Sequence, residues 1–305
     1  MSILSEPHFH NEAAAIARLE AIIWPAGPVC AHCGGVDRIT PVKGGRVGLR
    51  RCGDCKKQFT CKVGTVFESS HVPVYKWFQA AHLMAASKKG FSAHQLHRTL
   101  KVTYKTAWFM AHRLREAMRD GVLAPIGGGG AVIEVDETYI GRLEGVPKQK
   151  TGGAHKNIVL TLVERGGIAR SFHIDSTSIA DIAPILKANL SRESRLMTDE
   201  ARHYKEPGRE FASHDAVNHG AYEYARGEIT TNTVEGYYSI FKRGMKGVYQ
   251  HCAEKHLHRY LSEFDFRYSN RVRLGVNDEA RTNRAIKGIV GKRLTYRLAG
   301  NQATA

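Results

Sequence analysis

Ala131-Val-Ile-Glu-Val-Asp-Glu-Thr-Tyr-Ile140 is the stretch on which the fold turns. It follows four consecutive glycines and reads as an apolar strand that carries carboxylates. A carboxylate inside an apolar strand is costly unless it is bound or paired, which singles out Asp136. By strand alternation Glu134 faces the same way as Asp136 and could assist it, whereas Glu137 faces the other way. Upstream, residues 121–130 read as a glycine-rich linker, so a new domain is expected from about Ala131 to 270. Downstream, a strand over 157–164, the turn Arg165-Gly-Gly and a strand over 168–174 form a hairpin. A helix over 178–190 follows, then a short strand over 195–198 that delivers Asp199. Three antiparallel strands, a helix, a parallel strand and further helices are the order of an α/β ribonuclease-H-like (integrase) core.

The third carboxylate lies in Thr231-Asn-Thr-Val-Glu-Gly-Tyr-Tyr-Ser-Ile-Phe-Lys-Arg-Gly244, which reads as the start of a helix. Glu235 and Lys242 are seven residues apart, about two turns, and share one face. Asn232 and Glu235 also fit a capping box, with Asn at the N-cap and Glu three positions on. A capping role and a metal role for Glu235 are not exclusive. Three carboxylates from two strand-like runs and one helix can hold two hard cations, the apparatus of phosphoryl transfer on nucleic acid. Asp175, His203 and Asp215 read as surface or turn residues.

The chain as a whole suits such a substrate. It has 305 residues, with 45 Lys and Arg against 29 Asp and Glu, a formal charge of +16. Nucleic acid is the default partner for that charge. No run of 18 apolar residues and no signal peptide is present, so a cytoplasmic, nucleoid-associated protein with no membrane partner and reduced thiols is expected. Residues 1–68 read as an N-terminal helix and a zinc ribbon. Cys30-Ala-His-Cys33 and Cys52-Gly-Asp-Cys55 are 18 residues apart, the spacing of a structural four-thiolate zinc site. Cys61 and His32 fall outside the pattern and read as non-ligands. Residues 69–120 read as a helical module. Its last two helices, the second carrying Lys105, His112, Arg113 and Arg115, suggest a helix-turn-helix or a plain three-helix packing module. Residues 271–305 read as a basic tail, solvated or facing DNA.

Several motifs together resemble a known family. They are Gly64-Thr-Val-Phe-Glu68, Ser87-Lys-Lys-Gly90, Lys105-Thr-Ala-Trp-Phe-Met110, Glu134-Val-Asp-Glu-Thr-Tyr-Ile-Gly141, Met197-Thr-Asp-Glu200, Asn232-Thr-Val-Glu-Gly236 and Phe241-Lys-Arg-Gly244. From about Cys30 to Tyr268 the chain resembles bacterial insertion-sequence transposases with a DDE catalytic core, in the subgroup that joins a zinc ribbon to an ISXO-type integrase domain. The resemblance implies a multidomain enzyme that binds double-stranded DNA as a homo-oligomer, cuts element ends and joins the 3′-hydroxyl to target DNA. It matches Asp136 and Asp199 to the first two catalytic carboxylates. Glu235 is the choice for the third, with Asn232 as an alternative or supporting residue. Two Mg²⁺ ions are implied, with Mn²⁺ a possible substitute, and Lys242 and Arg243, with Lys105 and Arg113, are the expected DNA contacts. The competing readings are a DNA-binding regulator with an inactive core and a nuclease of the same fold that does not join.

Overall fold

The computed structural model describes residues 2–121, 124–150 and 152–295, and it divides into two compact units. The first opens with helix α1 (Glu12–Ile23), capped by the Asn11 side chain, which accepts from the Ala14 amide at 3.0 Å. Strands β1 (Ile39–Pro41), β2 (Arg50–Cys52) and β3 (Gln58–Phe59) form an antiparallel sheet in that order. Helix α2 (Val74–Ala86) buries Trp77, Phe78, Ala81 and Met84, as a helix apolar nearly all round should. Helices α3 (Ala93–Leu100) and α4 (Tyr104–Met118) are joined by a turn with no glycine, in which Lys101 takes the left-handed conformation (φ 50°).

The second unit takes in Ser87–Ser92 and Arg119–Asn277. Its sheet contains β4 (Val132–Ile140), β5 (Asn157–Glu164), β6 (Ala169–Ile174), β7 (Arg195–Thr198) and β8 (Ser213–Ala216), in the order β6-β5-β4-β7-β8. The first three are antiparallel neighbours; β7 and β8 run parallel to β4. Helix α5 (Ile179–Asn189), capped by Ser178, lies between β6 and β7 in the chain. The single-turn helix α6 (Lys205–Gly208) precedes β8, and the short ribbon β9 (Ala225–Arg226) and β10 (Ile229–Thr230) follows it. Helices α7 (Asn232–Gly244) and α8 (Leu257–Ser269) complete the unit. The strands alternate as a two-sided buried sheet requires. Ile133, Val135, Leu160 and Leu162 join Ile182 and Leu186 of α5 in one core. Val159 and Val163 join Val234, Tyr237, Phe241, Leu261 and Phe264 of α7 and α8 in the other.

Two segments differ from the sequence reading. In the glycine-rich stretch, Ile126 is buried, pairs with Leu190, and accepts from the Ser191 amide at 2.8 Å. The end of that stretch is thus part of the second unit; residues 122 and 123 lie outside the described residues. The segment read as a basic tail contains helix α9 (Asp278–Lys287), which returns to the first unit and packs on α2. Arg281 donates to the Ala85 carbonyl (3.0 Å), and the Thr282 hydroxyl meets His82 Nδ1 (3.1 Å). Beyond the helix, Val66 and Gly291 amides bond to Ile289 and Gly64 carbonyls, so the Gly64–Glu68 motif is paired to residues 289–291. Lys292 donates to the Ala117 carbonyl and Arg293 pairs with Glu68. This high-charge segment buries little apolar surface beyond Ala285, Ile286 and Ile289, so its hydrophobic pattern gave no helix signal. No helix among the described residues is long and apolar enough to cross a membrane.

Candidate active site

Asp136 sits in the middle of β4, on the face covered by α7. The parallel register pairs Glu134 with Met197, and two residues further along the same direction Asp136 and Asp199 come level. Neighbouring strands lie about 4.8 Å apart, so the topology alone brings these two carboxylates together. Asp199 is steadied by the Ala201 amide, which donates to Oδ1 at 3.0 Å. Glu235 comes from the first turns of α7. It is partly exposed, accepts from the Thr231 hydroxyl at 3.0 Å and lies 3.8 Å from His219 Nε2.

These acids feel one another. Burial pushes the Asp136 carboxyl up to about 7, and the charges of Glu137, Asp199 and Glu235 push the same way. Asp199 is raised too, first by burial and then by Glu137 and Glu200, with His203 opposing. Among the described residues, however, the acids do not form a group of three with oxygens within 4.8 Å of one another. Asp136 and Asp199 thus sit among further acids, with Lys242 and His203 the positive groups coupled to them.

Glu134 does something else. It is fully buried, and its carboxylate caps α7 from the neighbouring strand. The Thr233 and Val234 amides donate to Oε2 (2.6 and 2.9 Å), and the Thr233 hydroxyl and Arg165 Nε donate to Oε1 (2.8 and 2.6 Å). An anion bonded to the first amides of a helix is favoured by both the unpaired N–H groups and the helix dipole. The capping box read from sequence is therefore not formed. Thr231 occupies the N-cap position, Asn232 is the first helical residue and is exposed, and the amides that a cap would satisfy belong to Glu134. With every one of these bonds made, Glu134 is a mount for α7 and not a supplementary metal ligand.

The mount is reinforced further along. Tyr238 donates to the carbonyls of Asp136 (2.6 Å) and Val159 (3.0 Å). Tyr237 donates to Asp265 (2.6 Å), which also accepts from the Ser171 amide and hydroxyl. Burial drives both tyrosine hydroxyls well above their ordinary range. At the far end of α7, a Cβ on Gly244 would lie 2.4 Å from the Lys89 carbonyl, and one on Gly90 (φ 106°) would lie 2.0 Å from the Tyr249 hydroxyl. Glycines of two sequence motifs thus meet at one close crossing.

Glu137 and His203 were not singled out as site residues. Glu137 does face away from Asp136, as alternation requires. Yet it accepts from the buried Tyr204 hydroxyl, pairs with His203 at 3.3 Å, and acts electrostatically on both aspartates. The hydrogen bond and charge of Glu137 raise the His203 pKa. No local pattern links residue 137 to 203; only the fold does.

The basic residues divide. Lys242 is half-buried, its ammonium 5.8 Å from the Tyr238 ring centroid, and it senses Asp136. Arg243 is exposed and bonded to the Ser239 carbonyl of its own helix (2.9 Å). Lys105 is exposed on the first turn of α4. Arg113 is buried, donating to the Glu68 (3.1 Å) and Leu294 (3.2 Å) carbonyls, and His112 and Arg115 are buried with it. The DNA contact expected of Arg113 is thus replaced by a structural one.

The cysteine centre is separate. Sγ atoms of Cys30, Cys33, Cys52 and Cys55 all lie within 4.8 Å of one another, with 3.7 Å between Cys30 and Cys55 and 3.6 Å between Cys33 and Cys52. Zn–S bonds of about 2.3 Å in a tetrahedron put sulfurs about 3.8 Å apart, so the donor set fits zinc with no open position. His32 instead meets the Gln58 carbonyl at 3.3 Å, and the buried Cys61 thiol is pushed up to about 12 by desolvation.

Comparison with known proteins agrees with this division. Residues 10–58 match the transposase zinc-ribbon domain and residues 127–269 match the ISXO2-like transposase domain, together more than half of the chain. The chain belongs to the insertion-sequence transposases that combine these two domains. It is also 28% identical over 276 residues, 85% of this chain and 91% of the other, to an uncharacterized protein in transposable element ISH50 of Halobacterium salinarum.

Proposed function

We propose that this transposase binds the ends of its element, cleaves them to leave 3′-hydroxyls, and joins those ends to target DNA at the site formed by Asp136, Asp199 and Glu235. One observation carries the reading: two aspartates level on neighbouring parallel strands, with a glutamate on the helix that covers their face. The sheet order supports a ribonuclease-H-like core. The donor set fits hard divalent cations such as Mg²⁺, with Mn²⁺ a substitute, because burial, and after it the neighbouring carboxylates, raise the Asp136 pKa, and a bound cation would relieve both. When bound, such ions supply a metal-activated nucleophile and neutralise charge on the scissile phosphate.

The chain's own residues do the rest. Asp136 and Asp199 present oxygens from the rigid sheet. Glu235 adds a third from a helix fixed at its start by Glu134 and along its length by Tyr237 and Tyr238. Glu235 is preferred to Asn232 because it brings charge and raises Asp136, whereas an amide brings a neutral carbonyl. Tyr237 and Tyr238, buried on the helix that carries Glu235, are held protonated and already bonded, which suits a mechanism without a covalent protein intermediate. Lys242 offers its ammonium to a phosphate beside Asp136. Work on two ends at once suits a homo-oligomer on DNA. Incubating the protein, Mg²⁺, DNA carrying the sequences that bound the reading frame, and a target plasmid tests this reading. Joined products are expected; cut but unjoined ends would make it a nuclease, and binding without cutting a regulator.

A further inference from the structure

Past Asp136, β4 leads to a second concentration of charge, of the opposite sign. A cavity of about 300 Å³ in the second unit is lined by Ile140, Met245 and Leu257 and by Lys156 and Lys246. Lys156 stands just before β5, whose first residue pairs with Ile140 at the end of β4. Lys246 follows α7, four residues after Lys242, in a single turn of π-helix over Met245–Tyr249. Lys246 is exposed and Lys156 half-buried. Among the described residues no carboxylate pairs with either ammonium. Lys242 feels both of them. Burial lowers its pKa, Asp136 raises it, and the charges of Lys246 and Lys156 lower it again. Like charges four residues apart on a helical run repel, so this cluster is a cost until an anion joins it.

The chemistry of the lining selects the anion. A lysine ammonium is a compact point charge with rotatable donors, which suits a phosphate oxygen. The apolar side chains beside it support the lysine stems and, by keeping water back, strengthen the attraction. A base would instead ask for polar partners along its edge. The Asn157 amide in the lining is not free for that role: its Nδ2 donates to the Ile140 carbonyl at 3.4 Å, and its Oδ1 is enclosed. From Asp136 to Ile140 is four residues of strand, roughly 13 Å. One DNA strand advances about 3.4 Å per nucleotide, so the cavity lies within about four nucleotides of a bond held at the acids. We propose that Lys156 and Lys246 together bind one backbone phosphate of the DNA end, a few nucleotides from the cut, as a second anchor beyond Lys242. The proposal rests on the transposase reading and names a contact for which that reading alone has no need.

The test uses the full chain carrying Asp199→Asn, which prevents cutting and leaves the Asp136 charge beside Lys242. Its ligands are duplexes bearing the sequence that bounds the reading frame. Phosphates near the cut are replaced one at a time by an uncharged methylphosphonate, and affinity is measured. The expected result is a loss of about fivefold at one phosphate within about four nucleotides of the cut. Adding Lys156→Ala or Lys246→Ala should abolish the effect of that one replacement and leave the effects of the others as they were. Each substitution should also weaken binding by a similar factor on any sequence, and reduce the slope of log affinity against log salt by about one. Lys246→Arg, which keeps the charge, should restore the original profile. Should Lys156→Ala melt early, the exposed Lys246→Ala decides alone. A methylphosphonate profile that Lys246→Ala leaves unchanged overturns the assignment. So does an abasic position whose loss of affinity depends on Lys246 when no phosphate's does, since that puts a base in the cavity. Either result leaves the transposase reading standing, whereas failure to bind any DNA would remove both.

Discussion

The cysteine centre and the acids of the second unit, both read above as places for cations, are built on opposite principles. In the ribbon, four sulfurs already sit at the separations a tetrahedral ion demands, beside a small core in which Phe59 meets Trp24, Ile39 and Val63. The site is closed, and its ion serves folding. In the second unit the carboxylates stand on a sheet and helix held by two apolar cores, where burial and the neighbouring acids disfavour their charged forms. There the fold holds the groups against their own electrostatic preference, which is what the function proposed above would ask of them. A structural site is satisfied by its metal; a catalytic site is left with something to gain.

That contrast can be broken most sharply at the acids. Asp136→Asn and Asp199→Asn should each lower cleavage and joining by roughly 10³-fold or more while leaving DNA binding within a few-fold. Parallel loss of binding and melting temperature would make either residue structural. Glu235→Gln should be equally inactive yet folded. An active Glu235→Gln beside a dead, folded Asn232→Ala would transfer the role to Asn232.

Cys52→Ser should lose the single zinc from the ribbon, at a cost of several kcal/mol to that module, while Cys61→Ser keeps it. Metal content per chain by mass spectrometry decides this, and zinc retained by Cys52→Ser would sink the closed-site half of the comparison. Glu134→Ala should cost about 3 kcal/mol in urea melts, since it leaves the first amides of α7 and Arg165 Nε without their buried acceptor. Its melting loss should not be matched by Glu235→Gln, although the two side chains lie on adjoining elements.

A smaller effect follows from pH. The folded chain holds Asp136 at about 7 against an ordinary 3.8, so between about pH 4 and 7 it retains a proton that the unfolded chain has released. Stability of the metal-free protein should therefore fall as pH rises through that window and level off above it. Asp265, also held at about 7, contributes with the same sign and persists in the variant, so the measure is the difference in slope between wild type and Asp136→Asn. Mg²⁺ at pH 7.5 should raise the melting temperature of the wild type and not of Asp136→Asn. Least of all, Asn232→Ala should change stability by under about 0.5 kcal/mol, because the residue caps nothing.

What was legible depended on the range over which each signal acts. Cys30, Cys33, Cys52 and Cys55 declare themselves by spacing, and Asp136 and Asp199 by standing in or just beyond apolar strands. The first four strands of the sheet could be followed because each carries its own period; β8, which contains the Asp215 read as a surface or turn residue, has no apolar period and could not. The Asn232 to Glu235 pattern, by contrast, is a local motif overruled by a distant competitor: Glu134 reaches the same amides from another element, with the dipole in its favour. Arg113 looked like a contact for DNA since sequence shows charge but not the carbonyls that absorb it. The proximity of Glu137 to His203, and the place of α9, depend on pairings that no window of sequence contains.

The return of α9 bears on how the protein is made. Synthesis runs from the N-terminus, and the ribbon, α2 and the Gly64–Glu68 segment leave the ribosome early. Their partners, Thr282 for His82 and Ile289 for Val66, are translated only after the entire acid-bearing unit. At about 5–20 residues per second the first unit waits on the order of ten seconds or more for its last helix. The order of translation thus delays completion of the N-terminal unit until the acid-bearing unit has been made.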